Sequence, residues 1–503
     1  MDKHGERADI ALLLEGTYPY VRGGVSAWVH DLIEGLAEYR FALVFLGAKA
    51  SMYDTPRYTL PSNVVSLSTH MLMEPRDYLP SSGQVSDATY FSHIDRLHDC
   101  FRQRSGGIDP EVESGVMECL VGGGNFGLED FLFSKASWRF IADRYQRYAA
   151  QTSFVDYFWT VRSIHAAVFK LAVMARQIPP ARAFHAVSTG YAGLLGALLR
   201  HRLDRPLVLT EHGIYTKERK IDLQAAYVDS GGGDLLTSPP ASGMKYHHHL
   251  WIRFFEGIGR LTYSRADPII ALYDRNGQRQ IRDGADPSRT RVIPNGIDLP
   301  RFVPLRARRP SHVPAVLGLI GRVVPIKDIK TFIRAMRSVC TRLPQAQGWL
   351  IGPDDEDPEY AQQCRDLVRE LGLDTQIKFL GFQKIDDMMP QLGLLVLTSI
   401  SEAFPLVVVE AFASGLPVLT TDVGACREIV EGAGPEDRAL GPAGAVVPIA
   451  SPEETAKAAV GLLTDAERWR AAQRAGIERV ERYYTRDKVL AHYRGVYQAA
   501  IAQ

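Results

Sequence analysis

From residue 8 the chain reads ADIALLL, and its apolar run suits a strand buried on both faces of a sheet. The loop EGTYPYVRGG follows, then VSAWVHDLIEGLAE, in which Val25, Trp28, Val29, Leu32, Ile33 and Leu36 recur at helical spacing. FALVFLG (41–47) reads as a second strand. Strand, glycine-containing loop, helix and strand together open a parallel α/β sheet. Residues 48–155 are less regular, with polar and glycine-rich pieces such as SSGQVSD and VGGGNFG, and read as an elaboration of this first domain. Helix and strand patterns return over 156–215 and end in LVLTEHG, and a second insertion covers about 216–250. Within it DSGGGDLLTSPPASG (229–243) has loop composition.

From residue 315 the alternation is regular. AVLGLIG, GWLIG, IKFLG, LLVLTS, PVLTT and AGAVVP are strand candidates, and most are separated by helical patterns such as IKTFIRAMRSVC. This predicts a second doubly wound α/β domain, entered through the linker RARRPSHVP (306–314). The expected organisation is an N-terminal domain over 1–305 and a second domain over 306–480. A C-terminal helix over 481–503 is expected to pack back on the first domain. Two such domains are expected to leave a cleft between the C-terminal edges of their sheets, where open α/β folds bind ligands.

Composition narrows the partners. Lysine plus arginine equals aspartate plus glutamate, 58 each, so the basic excess of a nucleic-acid binder is missing. The five cysteines, Cys100, Cys119, Cys340, Cys364 and Cys426, are scattered and include no CxxC pair, which points to a reducing compartment without a zinc or disulfide framework. The N-terminal apolar run is shorter than a secretory signal, and no run approaches ~18 consecutive apolar residues. A cytoplasmic protein is expected, with any membrane association made through partners.

The candidate chemistry lies in TSISEAFPLVVVEAFASGLPVLT (398–420), where Glu402 and Glu410 stand in an apolar setting. Pro405 suits a first helical position, and Gly415 and Pro417 end the helix near Ser414. Eight residues at ~1.5 Å each separate the two carboxylates by ~12 Å if the stretch is helical. That exceeds the ~5–9.5 Å of a glycosidase pair. It suits an elongated ligand with hydroxyls at both ends and an anion between them, facing the helix N-terminus: a nucleotide sugar. A helix-start acid plus a surface glutamate is the simpler alternative. Arg322 and Lys327, after strand AVLGLIG, supply cations for a diphosphate leaving group.

GRVVPIKD together with SEAFPLVVVEAFASGLPV resembles the family 4 retaining glycosyltransferases of the GT-B fold: two doubly wound Rossmann-like domains facing across a cleft. VIPNGID (292–298) looks like their hinge motif, with Asn295 and Gly296. The chain departs at Ala403 and Pro405, where glycines are common, and at Asp328, where glycine is usual. LLLEGTYPYVRGGVSAWVHDLI resembles the cytosolic glycosyltransferases of Pel exopolysaccharide synthesis. What these resemblances imply is a UDP-sugar donor (UDP-glucose, UDP-N-acetylglucosamine or UDP-N-acetylgalactosamine) and a growing polysaccharide acceptor. They also imply an inner-membrane Pel synthase complex as partner and no metal or other cofactor. By the same resemblance Arg322 and Lys327 hold the diphosphate, Glu410 the ribose and Glu402 the donor sugar. Gly23 and Gly24 let backbone approach the donor, and Phe382, Phe404, Pro405 and Leu406 line its site. His212, in LVLTEHGIY, contacts the sugar near the reacting centre.

Three other features are weighed and set aside. Asp355-Glu356-Asp357 has the D-x-D spacing of metal-dependent transferases but reads as a solvated acidic loop, since the two cations already serve the leaving group. His247, His248 and His249 are consecutive, so their side chains diverge. VGGGNFG lacks the strand context and lysine of a phosphate loop. A GT-B-like phosphorylase or epimerase and a UDP-sugar-binding regulatory subunit remain as alternatives.

Overall fold

The computed structural model describes residues 8–73, 88–103, 107–123, 126–221 and 246–503. SSGQVSD and DSGGGDLLTSPPASG, and residues 124–125 of VGGGNFG, lie outside the described residues. The chain divides into two compact units. One comprises the residues up to Ala271 with Asn276–Val292 and Tyr493–Gln503; the other comprises Leu272–Arg275 and Ile293–His492.

The first unit is built on a seven-stranded sheet. Its strands are β1 (Ile10–Glu15), β2 (Phe41–Gly47), β3 (Val64–Met71), β4 (Ala183–Ala186), β5 (Leu207–Glu211), β6 (Ile269–Ala271) and β7 (Thr290–Val292). Their order is β3-β2-β1-β4-β5-β6-β7, and every pair is parallel. IALLL and FALVFLG are apolar on both faces because helices cover both sides. β3 reads VVSLSTHM and is only half-buried at the sheet edge, so its mixed polarity carries no strong strand signal.

The elaboration over 48–155 is more regular than its sequence suggested. Beyond β3 it contains helices Ala88–Arg102, Pro110–Val121, Leu128–Phe133 and Lys135–Tyr148. The signal was present: Tyr90, Ile94, Leu97 and Phe101 recur at helical spacing and are all buried. Side-chain caps start two of these helices, Asp109 accepting from the Glu111 N–H and Ser134 from the Ser137 N–H. The next helix, Phe154–Gln177, is the one described helix long and apolar enough by composition to cross a membrane. Here it buries Tyr157, Val161, Phe169 and Leu171 within the unit.

The second unit carries the six regular strands: β8 (Val316–Ile320), β9 (Gln347–Ile351), β10 (Ile377–Gly381), β11 (Leu394–Leu397), β12 (Val418–Thr421) and β13 (Gly444–Val447). They are parallel, in the order β10-β9-β8-β11-β12-β13. The main run of this unit is Ile293–His492, joined by Leu272–Arg275. The Ile297 N–H donates to the Tyr484 carbonyl (2.9 Å) and the Arg486 N–H to the Ile297 carbonyl (2.8 Å). Helix Leu299–Ala307 then buries Phe302 and Leu305. The expected hinge residues therefore lie inside the second unit. Asn295 is buried, and a Cβ on Gly296 would stand 2.6 Å from the Thr485 carbonyl oxygen, so only glycine fits. The last helix is Arg486–Ala502, and its residues from Tyr493 group with the first unit.

Candidate functional site

In the six-stranded sheet the strand order reverses between β8 and β11, the switch point at which open α/β sheets bind ligands. Both cationic candidates follow β8, and both glutamates follow β11. After Arg322 the chain makes a short turn over Pro325–Lys327. Asp328 then takes the left-handed conformation (φ 45°, ψ 55°) and its carboxylate accepts from the Thr331 N–H, capping helix Ile329–Arg342. This accounts for the departure at that position: glycine adopts such a φ freely, while aspartate tolerates it and adds a cap.

The loops after β8 and β11 are tied together. Lys327 Nζ donates to Glu402 Oε1 at 2.5 Å, and Ser399 Oγ donates to the same oxygen at 2.7 Å. Thr398 Oγ1 donates to the carbonyls of Lys327 and Asp328, and the Ile400 N–H to that of Ile326. The cation that Glu402 lacks in sequence thus arrives from 75 residues away. The Ala403 carbonyl accepts from the Ala425 N–H, and Gly424 (φ 51°) passes so close that a Cβ would stand 2.2 Å from the Glu402 carbonyl oxygen.

Helix Leu406–Ala413 begins one residue later than expected. Pro405 is its extended N-cap (ψ 103°), not its first turn. Gly415, at φ 74°, ends the helix as expected. Glu410 is half-buried. Desolvation raises its pKa, opposed by the nearby Arg301 charge and aided by Asp386. Arg301 forms a forked pair with Asp386, with bonds of 2.8–3.2 Å. Neither residue stood out in the sequence; the only hint was an arginine soon after the NGID motif. Phe382 projects after β10 at 81% exposure, whereas Phe404 is buried edge-on against Tyr484. Arg322 is exposed and paired with Glu356 (2.5 Å). The acidic loop is occupied elsewhere too: Asp354 pairs with Arg365, and Asp357 caps helix Pro358–Glu370. No group of three metal-capable side chains occurs among the described residues, and the His247 and His248 rings lie tilted against one another with centroids 4.2 Å apart.

In the seven-stranded sheet the order reverses between β1 and β4. Gly23 and Gly24, exposed after β1, start helix Gly24–Gly35, and a Cβ on either would meet nothing within 4 Å. Glu15, at the end of β1, accepts from Tyr215 Oη (2.7 Å) and the Ala192 N–H (3.2 Å); desolvation raises its pKa against these bonds. In the sequence Glu15 shows only as the residue that ends an apolar run.

His212 follows β5. Its backbone is fixed by Glu211, a fully buried carboxylate that accepts from Thr189, Tyr263, Gln280 and the Tyr215 N–H. The His212 ring meets Trp28 edge-on at 4.5 Å, and its Nε2 has no hydrogen-bond partner among the described residues. Behind it, His185 bridges Tyr497 Oη (2.7 Å) and Thr210 Oγ1 (2.9 Å), and Thr210 also meets Tyr493 Oη (3.0 Å). Burial lowers the His212 pKa to about 4. The folded imidazole therefore stays neutral down to that pH, while the unfolded one takes up a proton below its model value of 6.5. His212 adds no pH dependence to stability above that value and lowers stability as pH falls between the two. In a nitrogen-detected NMR titration the His212 ring should titrate near 4, not near 6.5; an ordinary midpoint would mean that the ring is hydrated.

Residues 8–288 match the family model described as Domain of unknown function (DUF3492), and residues 306–479 match that of Glycosyl transferases group 1. The chain is 27% identical over 332 residues to D-inositol 3-phosphate glycosyltransferase of Kribbella flavida, covering 62% of this chain and 71% of the relative. It is 32% identical over 213 residues to D-inositol 3-phosphate glycosyltransferase 2 of Catenulispora acidiphila, spanning 39% of this chain and about half (48%) of that relative. Among solved structures it resembles Anabaena Alr3699/HepE in complex with UDP, with a TM-score of 0.58 at 16% identity, covering 98% of this chain and 100% of the other. Sucrose-phosphate synthase (tll1590) from Thermosynechococcus elongatus gives a TM-score of 0.57 at 19% identity, covering 98% and 99%. Identities this low speak for the fold alone, and the fold is GT-B.

Proposed function

The chain belongs to the family described as Domain of unknown function (DUF3492), with a group 1 glycosyl transferase domain behind it, and on that premise we propose a retaining, UDP-sugar-dependent transfer of a hexose or N-acetylhexosamine to a growing exopolysaccharide. The observation that carries this reading is the Lys327–Glu402 pair at the β8/β11 switch point, with Arg322 in the same loop after β8 and Glu410 one turn into the helix that follows Glu402. Lys327 and Arg322 receive the diphosphate. Each already holds a carboxylate, as a cation awaiting an anion does. Negative charge grows on the diphosphate as the glycosidic bond breaks, and fixed cations stabilise that state more than the ground state. Glu402, held by Lys327 and Ser399, orients the transferred sugar, and Glu410 accepts from the ribose hydroxyls. His212 offers a sugar hydroxyl a neutral ring whose Nε2 has no hydrogen-bond partner among the described residues. No metal is needed in this scheme, because side chains supply the positive charge.

The resemblance of the first domain supports a finer reading, a PelF-type enzyme that works in the cytoplasm beside an inner-membrane Pel assembly. Calorimetry with UDP, GDP, ADP and UDP-sugars, followed by product analysis with and without EDTA, tests the whole reading. Selective UDP binding and EDTA-resistant transfer with retained anomeric configuration are expected. Transfer lost on chelation and restored by manganese would overturn the metal-free scheme, and phosphate-dependent turnover would favour a phosphorylase.

Arg322 makes a separate prediction. Its pair with Glu356 is exposed on both sides, so the bond is weak and a bound diphosphate displaces it. Arg322→Ala should weaken UDP binding about tenfold. Glu356→Ala should strengthen it severalfold by removing the competing carboxylate. Titration of UDP into both variants checks this, and weaker binding in Glu356→Ala would contradict it.

A further inference from the structure

Away from both strand-end sites, the helices of the first unit line a partly open cavity of about 100 Å³. Its walls are largely aliphatic and aromatic, with Leu97, Val116, Leu120, Ile164, Leu194 and Phe254 among them, and no acidic residue lines it among the described residues. Apolar walls of this kind favour apolar guests. Three arginines also line it: Arg102, Arg144 and Arg253. Arg144 is neutralised by Asp95 and Asp99. Arg102 lies over the Tyr148 ring, 3.5 Å from its centroid, and neither it nor Arg253 makes an ion pair among the described residues. The two lining histidines, His98 and His165, are held neutral by burial, with pKa values well below the ordinary range. The cavity thus presents two guanidinium groups, Arg102 exposed and Arg253 half-buried, with no carboxylate paired to either among the described residues.

We propose that this cavity binds an amphiphile with one aliphatic chain and an anionic head, the chain lying among the apolar walls and the head meeting Arg102 and Arg253. Charge complementarity selects the head, since a neutral or cationic head would leave both guanidinium groups without a counterion. The branched aliphatic walls select methylenes or isoprenoid methyls over a polar body. A carboxylate on an acyl chain and a phosphate on an isoprenoid chain share this chemistry. The site stands apart from the sugar-transfer reading and does not depend on it.

The test is calorimetric titration of the full chain with hexanoate, octanoate, decanoate, decanol and geranyl phosphate. Affinity should rise severalfold with each added methylene until the chain outgrows the cavity. Arg102→Ala and Arg253→Ala should each lower decanoate affinity about tenfold and leave decanol unchanged. Leu120→Trp should abolish binding of both by filling the chamber. Tighter binding of geranyl phosphate than of decanoate would support the site and assign it to isoprenoid phosphates; the reverse order would support it and assign it to fatty acids. Absence of saturable binding by every anion overturns the proposal, as does equal loss of decanoate and decanol in the arginine variants. Those arginine variants decide the matter even where Leu120→Trp does not fold.

Discussion

Lys327→Ala should lose UDP affinity by at least about tenfold, the worth of one charge-assisted hydrogen bond of roughly 1.5–3 kcal/mol, and should lose more in turnover. Two effects add. The diphosphate loses its cation, and Glu402, whose side chain is only 14% exposed, is left with Ser399 as its remaining side-chain partner. An uncompensated carboxylate beside an incoming diphosphate repels it. The companion variants separate the roles. Glu402→Ala frees Lys327 to meet the diphosphate, so UDP affinity should hold or improve while turnover falls about a hundredfold through misplacement of the sugar. Glu410→Ala should weaken UDP and UDP-sugar alike, because both contain ribose. Titrating UDP and UDP-sugar against all three variants, alongside initial rates, distinguishes these outcomes. Equal loss of UDP affinity in the Glu402 and Glu410 variants would sink the assignment of the two carboxylates.

The second large effect concerns stability. Arg479, on helix Ala466–Tyr483, is completely buried. It pairs with Asp437 at 2.5 Å and donates to the carbonyls of Val430, Asp437 and Gly441. These contacts fasten the segment between helix Cys426–Glu431 and β13, and the start of that helix supports the Glu402 loop through the Ala425–Ala403 bond. Arg479→Ala leaves a buried aspartate without its cation and takes one donor from each of three carbonyls, of which those of Val430 and Asp437 keep a backbone N–H. Breaking such a pair from one side costs about 3–5 kcal/mol. Urea unfolding should show that loss. The double variant Arg479→Met/Asp437→Leu should recover part of it, because no charge is then stranded. A single variant as stable as the parent would mean that the segment is held by other contacts.

The strands of the second unit were legible from pattern alone. IKFLG or PVLTT has few conformations open to it: it is short, apolar, rich in branched side chains and bounded by glycine or proline. The elaboration of the first unit was less legible because its helices are separated by glycine and serine stretches. Those stretches dominate a window even where Tyr90, Ile94, Leu97 and Phe101 mark a helical face.

The strands of the second unit, β1, β2 and β5 of the first, the cations after β8 and the glutamates after β11 were readable as local facts, because strand periodicity and strand-end placement depend on neighbours a few residues away. Tertiary structure alone decided what those groups meet. Glu402 gained Lys327, Glu410 gained Arg301 with Asp386 close by, and Arg322 gained Glu356, each across tens of residues of chain. Phe404 turned inward to Tyr484 while Phe382 turned out to solvent. His212 acquired its depressed pKa from burial beside Trp28, and Glu15 its bonds from Tyr215 and Ala192. The reason is physical. Hydrophobic period is a property of a segment, whereas ion pairing and desolvation are properties of the space in which segments converge, and a linear chain does not encode distance in that space by residue count.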